Sequence, residues 1–453
     1  MRAFLGLFLT VSTFVQAEQE SPSPKKLDEL LLSPSLWEQK LTDVKGQFGA
    51  AETKEDEPIR GISPADLERL KKHGVNISKY EVVLPELDWL SSAHKGLRSE
   101  RGGYSLDEKE LGEIVIRGTG NGLSGVTISL YNRGDDSEIG PTKYQTELDA
   151  WKASLDRLLE VRPKSRDQRG ALPITGWIWQ KGNSAYLLEG SINRREKRPE
   201  FIRLRIAPLN ATSDTKTTVR RDDLADRVKT EGKSTFLEGV PMVDQGSKGY
   251  CVVATIERVI RFYGRDFDQH EMARLADTSA GGGTSMEAME KAFRSITGKA
   301  NVRTIKIIEF DENQFKRDIR YYNRAAKKAE KATFDYDLDE WIISPTMFWS
   351  RVDPEIFREV KADQNGFEFF NNKIKEYIDQ GVPLCWTLYL GMFKEGDLPQ
   401  SHGGHMRLII GYDEATQEII YSDSWGEGHE KKRMRADEAF CMTTAIYAML
   451  PTR

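Results

Sequence analysis

Among three cysteines and six histidines, one of each stands where amide chemistry would need it. Cys251 opens a stretch in which Val252, Ile256, Val259, Ile260 and Tyr263 share one face of a helix. A sulfur at a helix N-terminus meets backbone N–H groups and the positive end of the dipole, a setting that favours the nucleophilic thiolate. Gln245 lies six residues upstream across a turn carrying Gly246 and Gly249. Folded back, its side-chain amide can point at the same small volume as the Cys251 N–H, giving two donors for a developing oxyanion. A thiolate that attacks an amide also needs a base able to protonate the departing amine, and histidine does both near neutral pH. His405 heads the apolar run Met406 to Tyr412, where a sheet can hold its ring; His402 precedes two glycines and has no strand to fix it. Asp423 follows the run Ile419 to Ser422 and is the carboxylate placed to orient the imidazole.

These side chains lie far apart in sequence, so a helix tip and a sheet must bring them together. Gly239 to Val243 reads as extended, Gln245 to Gly249 as a turn, and Cys251 as the start of a core helix. Helices are expected over Asn313 to Lys331 and Phe367 to Ile378. Gly381-Val382-Pro383 then ends the latter and Leu384 to Leu390 forms a strand. Thr284 and Glu287 fit a capping box for a helix through Phe293 better than the adjacent glycines fit a phosphate loop, since no Gly-Lys-Ser/Thr follows. The Lys/Arg-rich stretch around Arg320-Tyr321-Tyr322 reads as a solvated helix with an aromatic seam.

The segment Asp244-Gln245-Gly246 followed by Cys251 resembles the glutamine-to-cysteine segment of papain-like cysteine peptidases. His405 opening a strand that reaches Gly411-Tyr412, and Asp423-Ser424-Trp425-Gly426 after the next strand, complete the likeness. Lys248-Gly249-Tyr250 stands where papain has Cys-Gly-Ser, and Asp423 replaces its asparagine. Both departures point to the bacteriocin-processing (double-glycine) peptidase-like branch. The resemblance covers residues 236–453. It implies an α+β papain-like domain, with the helix bearing Cys251 packed on an antiparallel sheet bearing His405 and Asp423. It further implies a Cys251, His405 and Asp423 triad with Gln245 as oxyanion donor, and Trp425 screening the histidine–carboxyl hydrogen bond from water. The alternatives are a transglutaminase-like acyl transfer, which uses the same order of residues, and a catalytically silent binding protein on the same scaffold. His402 and His405 with His429 or Glu430 is a rival metal set. No His-Glu-x-x-His motif supports it, and neither a metal nor a cofactor is expected.

The chain has 453 residues, enough for two or three domains, with 30% charged and 38% hydrophobic residues and a formal charge of −5. That balance offers no argument for a nucleic-acid or anionic-membrane partner, so a peptide or protein substrate is expected and the oligomeric state stays open. Met1 to Ala17 has the apolar run and Val15-Gln16-Ala17 ending of a cleaved signal, so the mature chain is expected to be secreted or periplasmic, with no membrane attachment after cleavage. Residues 18–61 read as a polar segment with short helices, and 62–208 as an α+β accessory domain in which Ile202, Leu204 and Ile206 alternate with Arg203 and Arg205, leaving one face wet. Residues 209–235 read as a linker, and 236–453 as the domain carrying the chemistry. Chain order also admits the accessory domain as a propeptide-like lid. In an oxidising compartment Cys385 and Cys441 either pair or stay buried as thiols.

Overall fold

A computed structural model describes residues 23–49, 61–62, 81–133, 138–168, 173–209, 219–246, 249–265, 289–290, 293–294, 301–334, 345–396, 398–400 and 402–452. Met1 to Ala17, expected to be a cleaved signal, and the glycine run Gly281 to Thr284 lie outside the described residues.

The fold is a mixed α+β arrangement of two sheets, each with its own apolar core. The N-terminal sheet runs, edge to edge, Lys164–Ser165, Thr175–Lys181, Ser184–Asn193, Arg198–Pro208, Gly122–Asn132, Ile114–Thr119, Gly96–Ser99 and Asp88–Trp89, and every pairing is antiparallel. Strand alternation puts Leu97, Ile116, Val126, Ile206 and Tyr186 in one row across the sheet. The helix Pro141–Leu159 packs Tyr144, Leu148, Trp151 and Leu155 into the core that this row joins. Proline in its first turn and a left-handed Glu160 after its last residue bound it. The helices Asp28–Leu31 and Leu41–Phe48 add Leu30, Leu31, Val44 and Phe48 to the same core, so the 18–61 segment is built into this unit over its described part.

The opposite face of that sheet is wet only in part: Arg205 is half-buried. Arg203 is buried and pairs with Glu189 at 2.7 Å, and Arg205 reaches the other oxygen of the same carboxylate. Alternation in sequence records polarity, and a polar row can be covered when its charges neutralise one another.

The second sheet runs Val228–Glu231, Ser234–Leu237, Gly403–Asp413, Leu384–Leu390, Thr443–Pro451 and Val302–Ile308, with Glu418–Ser422 and Lys432–Arg435 added through Gly403–Asp413. The expected linker over 209–235 is therefore corrected where it is described. Its latter part is a hairpin paired into this sheet, and Val219 and Leu224 are buried in this core. Val228–Glu231 is an edge strand with mostly exposed side chains, which is why its composition reads as linker. Close approach of Ser234–Leu237 depends on Gly411, where a Cβ would lie 2.5 Å from the Thr235 carbonyl oxygen.

Cys251–Phe262 is a helix whose side chains are buried on nearly every face. The expected apolar stripe is buried, and so are Glu257 and Arg258. The reason is position: the helix packs on Gly403–Asp413, while Glu257 faces a small cavity lined by Arg98, Glu113, Val115 and Thr127 of the N-terminal sheet. Cys385 and Cys441 are buried free thiols, and burial pushes each up to about 12.

Candidate active site

Cys251 is the first residue of its helix and the one partly exposed cysteine among the three. Tyr250, at the N-cap, gives the first turn no side-chain acceptor. Thr255, one turn into the helix, donates to the Met406 carbonyl at 3.3 Å and so ties the helix to the strand that carries His405.

His405 sits on Gly403–Asp413 opposite Leu388, with its side chain closed off from solvent. Nε2 lies 2.6 Å from Asp423 Oδ1. Nδ1 is buried. Trp425 stacks flat on the ring, with centroids 4.4 Å apart and planes 6° from parallel. Burial alone would strip the ring of its proton, but the Asp423 carboxylate and its hydrogen bond, helped by Cys251, push the imidazole up to about 9. Cys251 and Asp423 thus act on one ring, and Asp423 occupies Nε2.

Asp423 follows Glu418–Ser422 and is completely buried. A buried carboxylate is tolerated only when its lone pairs are used. Oδ1 accepts from His405 and from the Ser424 N–H at 2.8 Å, and Oδ2 accepts from Arg407 Nε at 2.6 Å. Although burial works the other way, His405 and Arg407 hold this carboxyl well below the usual carboxylate range. Arg407 is itself braced by Glu395 at 2.8 Å and lies over the Tyr421 ring, whose hydroxyl donates to Glu395 at 2.6 Å. Glu395, Arg407, Asp423 and His405 form a row of alternating charge.

Gln245 is buried beside this row. Its N–H donates to the Ser424 carbonyl at 2.8 Å, and its Oε1 accepts from Ser424 Oγ at 2.6 Å. The amide oxygen is therefore engaged by the residue that follows Asp423. His402 is exposed, and His429 meets Trp425 edge-on with centroids 5.9 Å apart. Among the described residues no three His, Cys, Asp or Glu side chains are grouped to hold a metal.

Two buried arginines complete the site and were not foreseen from sequence. Arg407 is one. Arg258 is the other: from the Cys251 helix it donates to the carbonyls of Pro241 at 2.8 Å and Asp423 at 2.7 Å, and to Ser422 Oγ. It joins the approach to Gln245, the helix of Cys251 and the turn of Asp423. A cation inside an apolar run, as in Met406-Arg407-Leu408, or on the apolar stripe of a core helix, as Arg258 between Ile256 and Val259, is the signal that could have found both, because such a charge requires a buried partner.

Against known proteins, the chain matches the Peptidase_C39 like family over residues 353–449, a span that holds His405 and Asp423 and begins beyond Gln245 and Cys251. Similar solved structures include the peptidase domain of Streptococcus ComA, a bifunctional ABC transporter involved in a quorum-sensing pathway. Identity to it is 12% and the TM-score 0.24, over 47% of this chain and 99% of that one. Xylellain, a cysteine protease from Xylella fastidiosa, is 11% identical with a TM-score of 0.26, over 51% of this chain and 90% of that one. No curated protein matches the chain. The family match falls on the segment where the sequence resemblance to the bacteriocin-processing branch places its histidine and aspartate.

Proposed function

We propose that this chain is a cysteine-type peptidase of papain-like plan, acting through Cys251, His405 and Asp423, with Gln245 and the Cys251 N–H as oxyanion donors. The observation that carries the reading is the surroundings of the His405 ring: Asp423 occupies Nε2 at 2.6 Å, and Cys251 is the neighbour that acts on the same buried ring. A base braced on one nitrogen keeps the other for the sulfur.

Cys251 attacks the amide carbonyl as thiolate, paired with the imidazolium of His405. The oxyanion forms against the Gln245 amide and the Cys251 N–H. His405 gives its proton to the departing amine, and the acyl-enzyme is released by a water that His405 deprotonates in turn. Asp423 stays ionised, holds the tautomer and stabilises the imidazolium, while Trp425 lies flat on the ring and limits water beside that hydrogen bond. Substrates are peptides or proteins, met in a secreted or periplasmic setting after removal of residues 1–17.

The test is to profile the mature protein against a peptide library beside Cys251→Ala. Cleavage by the wild type, and loss of both cleavage and iodoacetamide labelling in a folded Cys251→Ala, is the expected result. Persistent cleavage by the variant would remove the cysteine from the mechanism. Failure of iodoacetamide to label the native wild type, with labelling after unfolding, would favour a silent binding protein.

A further inference from the structure

The N-terminal unit lies outside the family match, yet it touches the segments that carry Gln245, Cys251 and Asp423. Ser92 donates through its N–H to Glu430 Oε1 at 2.6 Å, in the loop that follows Asp423 and Trp425. Tyr250, next to Cys251, donates from its hydroxyl to Asn132 Oδ1 at 3.4 Å. The third contact is charged and largely buried. Arg98, on Gly96–Ser99, spans Glu113 at 2.7 Å through Nε and Asp244 at 3.2 Å through Nη1.

Asp244 passes this grip on. Its other oxygen, Oδ1, accepts the Gly246 N–H at 2.7 Å, so one carboxylate closes the turn around Gln245 while it is anchored to Arg98. Gln245 is in turn fastened to Ser424, the residue after Asp423. Over its described residues the turn has no helix or strand of its own, and the Arg98–Asp244 pair is one of the bonds that place it. An oxyanion donor displaced by an ångström loses most of its effect.

We propose that Arg98 of the N-terminal unit is a positioning residue for the oxyanion side of the site, acting through Asp244 on Gln245, so that this unit is a working part of the enzyme and not a detachable lid. The inference rests on the peptidase reading above. The sulfur and imidazole are carried by the helix and the second sheet, whereas the glutamine turn takes a charged anchor, Arg98, from across the boundary between the units. Loss of Arg98 therefore weakens transition-state stabilisation and leaves thiolate chemistry intact.

The experiment uses the full chain and a fluorogenic peptide taken from the library profile, with Arg98→Met, Gln245→Ala and their double variant, each checked for folding by circular dichroism. Expected for Arg98→Met is a fall in kcat of roughly 10²-fold with KM within about twofold, and iodoacetamide alkylation of Cys251 at close to the wild-type rate. The double variant should be no slower than Gln245→Ala, because both changes remove the same interaction. Asp244→Asn, which leaves the Arg98 and Glu113 pair intact, should reproduce the effect and serves if Arg98→Met does not fold. Turnover within threefold of wild type in the folded arginine or aspartate variant, or multiplicative losses in the double variant, would overturn the proposal. A wild type that neither cleaves nor is labelled would instead count against the peptidase reading itself.

Discussion

Replacing Asp423 by asparagine tests the charge row at its centre. The substitution keeps the volume and removes one negative charge 2.6 Å from His405 Nε2. With charge centres about 4 Å apart and an effective dielectric near 20, that charge is worth about 4 kcal/mol, or ~3 pKa units. The His405 ring, held at about 9, should then titrate lower by that amount. Arg407, left without its carboxylate, pushes in the same direction. The amide also meets a conflict of donors. If its oxygen serves His405, its NH2 faces Arg407 Nε; if it is turned over, Nε2 must become an acceptor and the ring proton moves to Nδ1, the nitrogen needed as base. Labelled-histidine NMR in the Cys251→Ala background, with and without Asp423→Asn, reads the titration without a substrate. A difference under about half a unit would refute the account. The sign for stability follows. His405 titrates in the folded state above its ordinary 6.5, so its contribution is fully present below about pH 6.5 and is lost as pH rises through about 9, a loss of ~3 kcal/mol that the asparagine variant should abolish.

Two further substitutions probe the surroundings. Gln245→Ala should lower kcat by about 10²-fold with little change in KM, measured on the profiled peptide; a change confined to KM would assign the side chain to substrate binding. Gly426 has φ +80°, and a Cβ there would lie 2.8 Å from Asp244 Oδ2. Gly426→Ala should therefore cost about 1–2 kcal/mol for the backbone alone, read by urea unfolding, and should lower turnover by moving Asp244; an unchanged midpoint would show that the turn relaxes freely.

Much of this architecture is legible in the sequence where one physical signal dominates. Leu384–Leu390 reads to the residue because seven buried side chains in a row end at Gly381-Val382-Pro383 on one side and a glycine on the other. Within Pro141–Leu159, Tyr144, Leu148, Trp151, Leu155 and Leu158 recur at helical spacing in the sequence. His405 and Asp423 are legible from their motifs at strand ends. The hairpin at Val228–Glu231 is not, since an edge strand facing solvent has no apolar period to betray it. Arg98, Arg258 and Arg407 are likewise hidden, because what makes each of them matter is a partner: Asp244 is 146 positions from Arg98, and the Asp423 carbonyl is 165 from Arg258. Composition gives the cost of burying a cation but not the address of the group that neutralises it.

The guanidinium of Arg258 gives this molecule a sense of timing. It emerges from synthesis with the nucleophile's helix, but two of its acceptors, Ser422 and the Asp423 carbonyl, arrive only near the end of the chain. Until then the cation has only the Pro241 carbonyl of its three partners, and docking the helix would bury it incompletely paired. The proposed site is thus assembled only with completion of the last sheet, by the order of the chain's own residues.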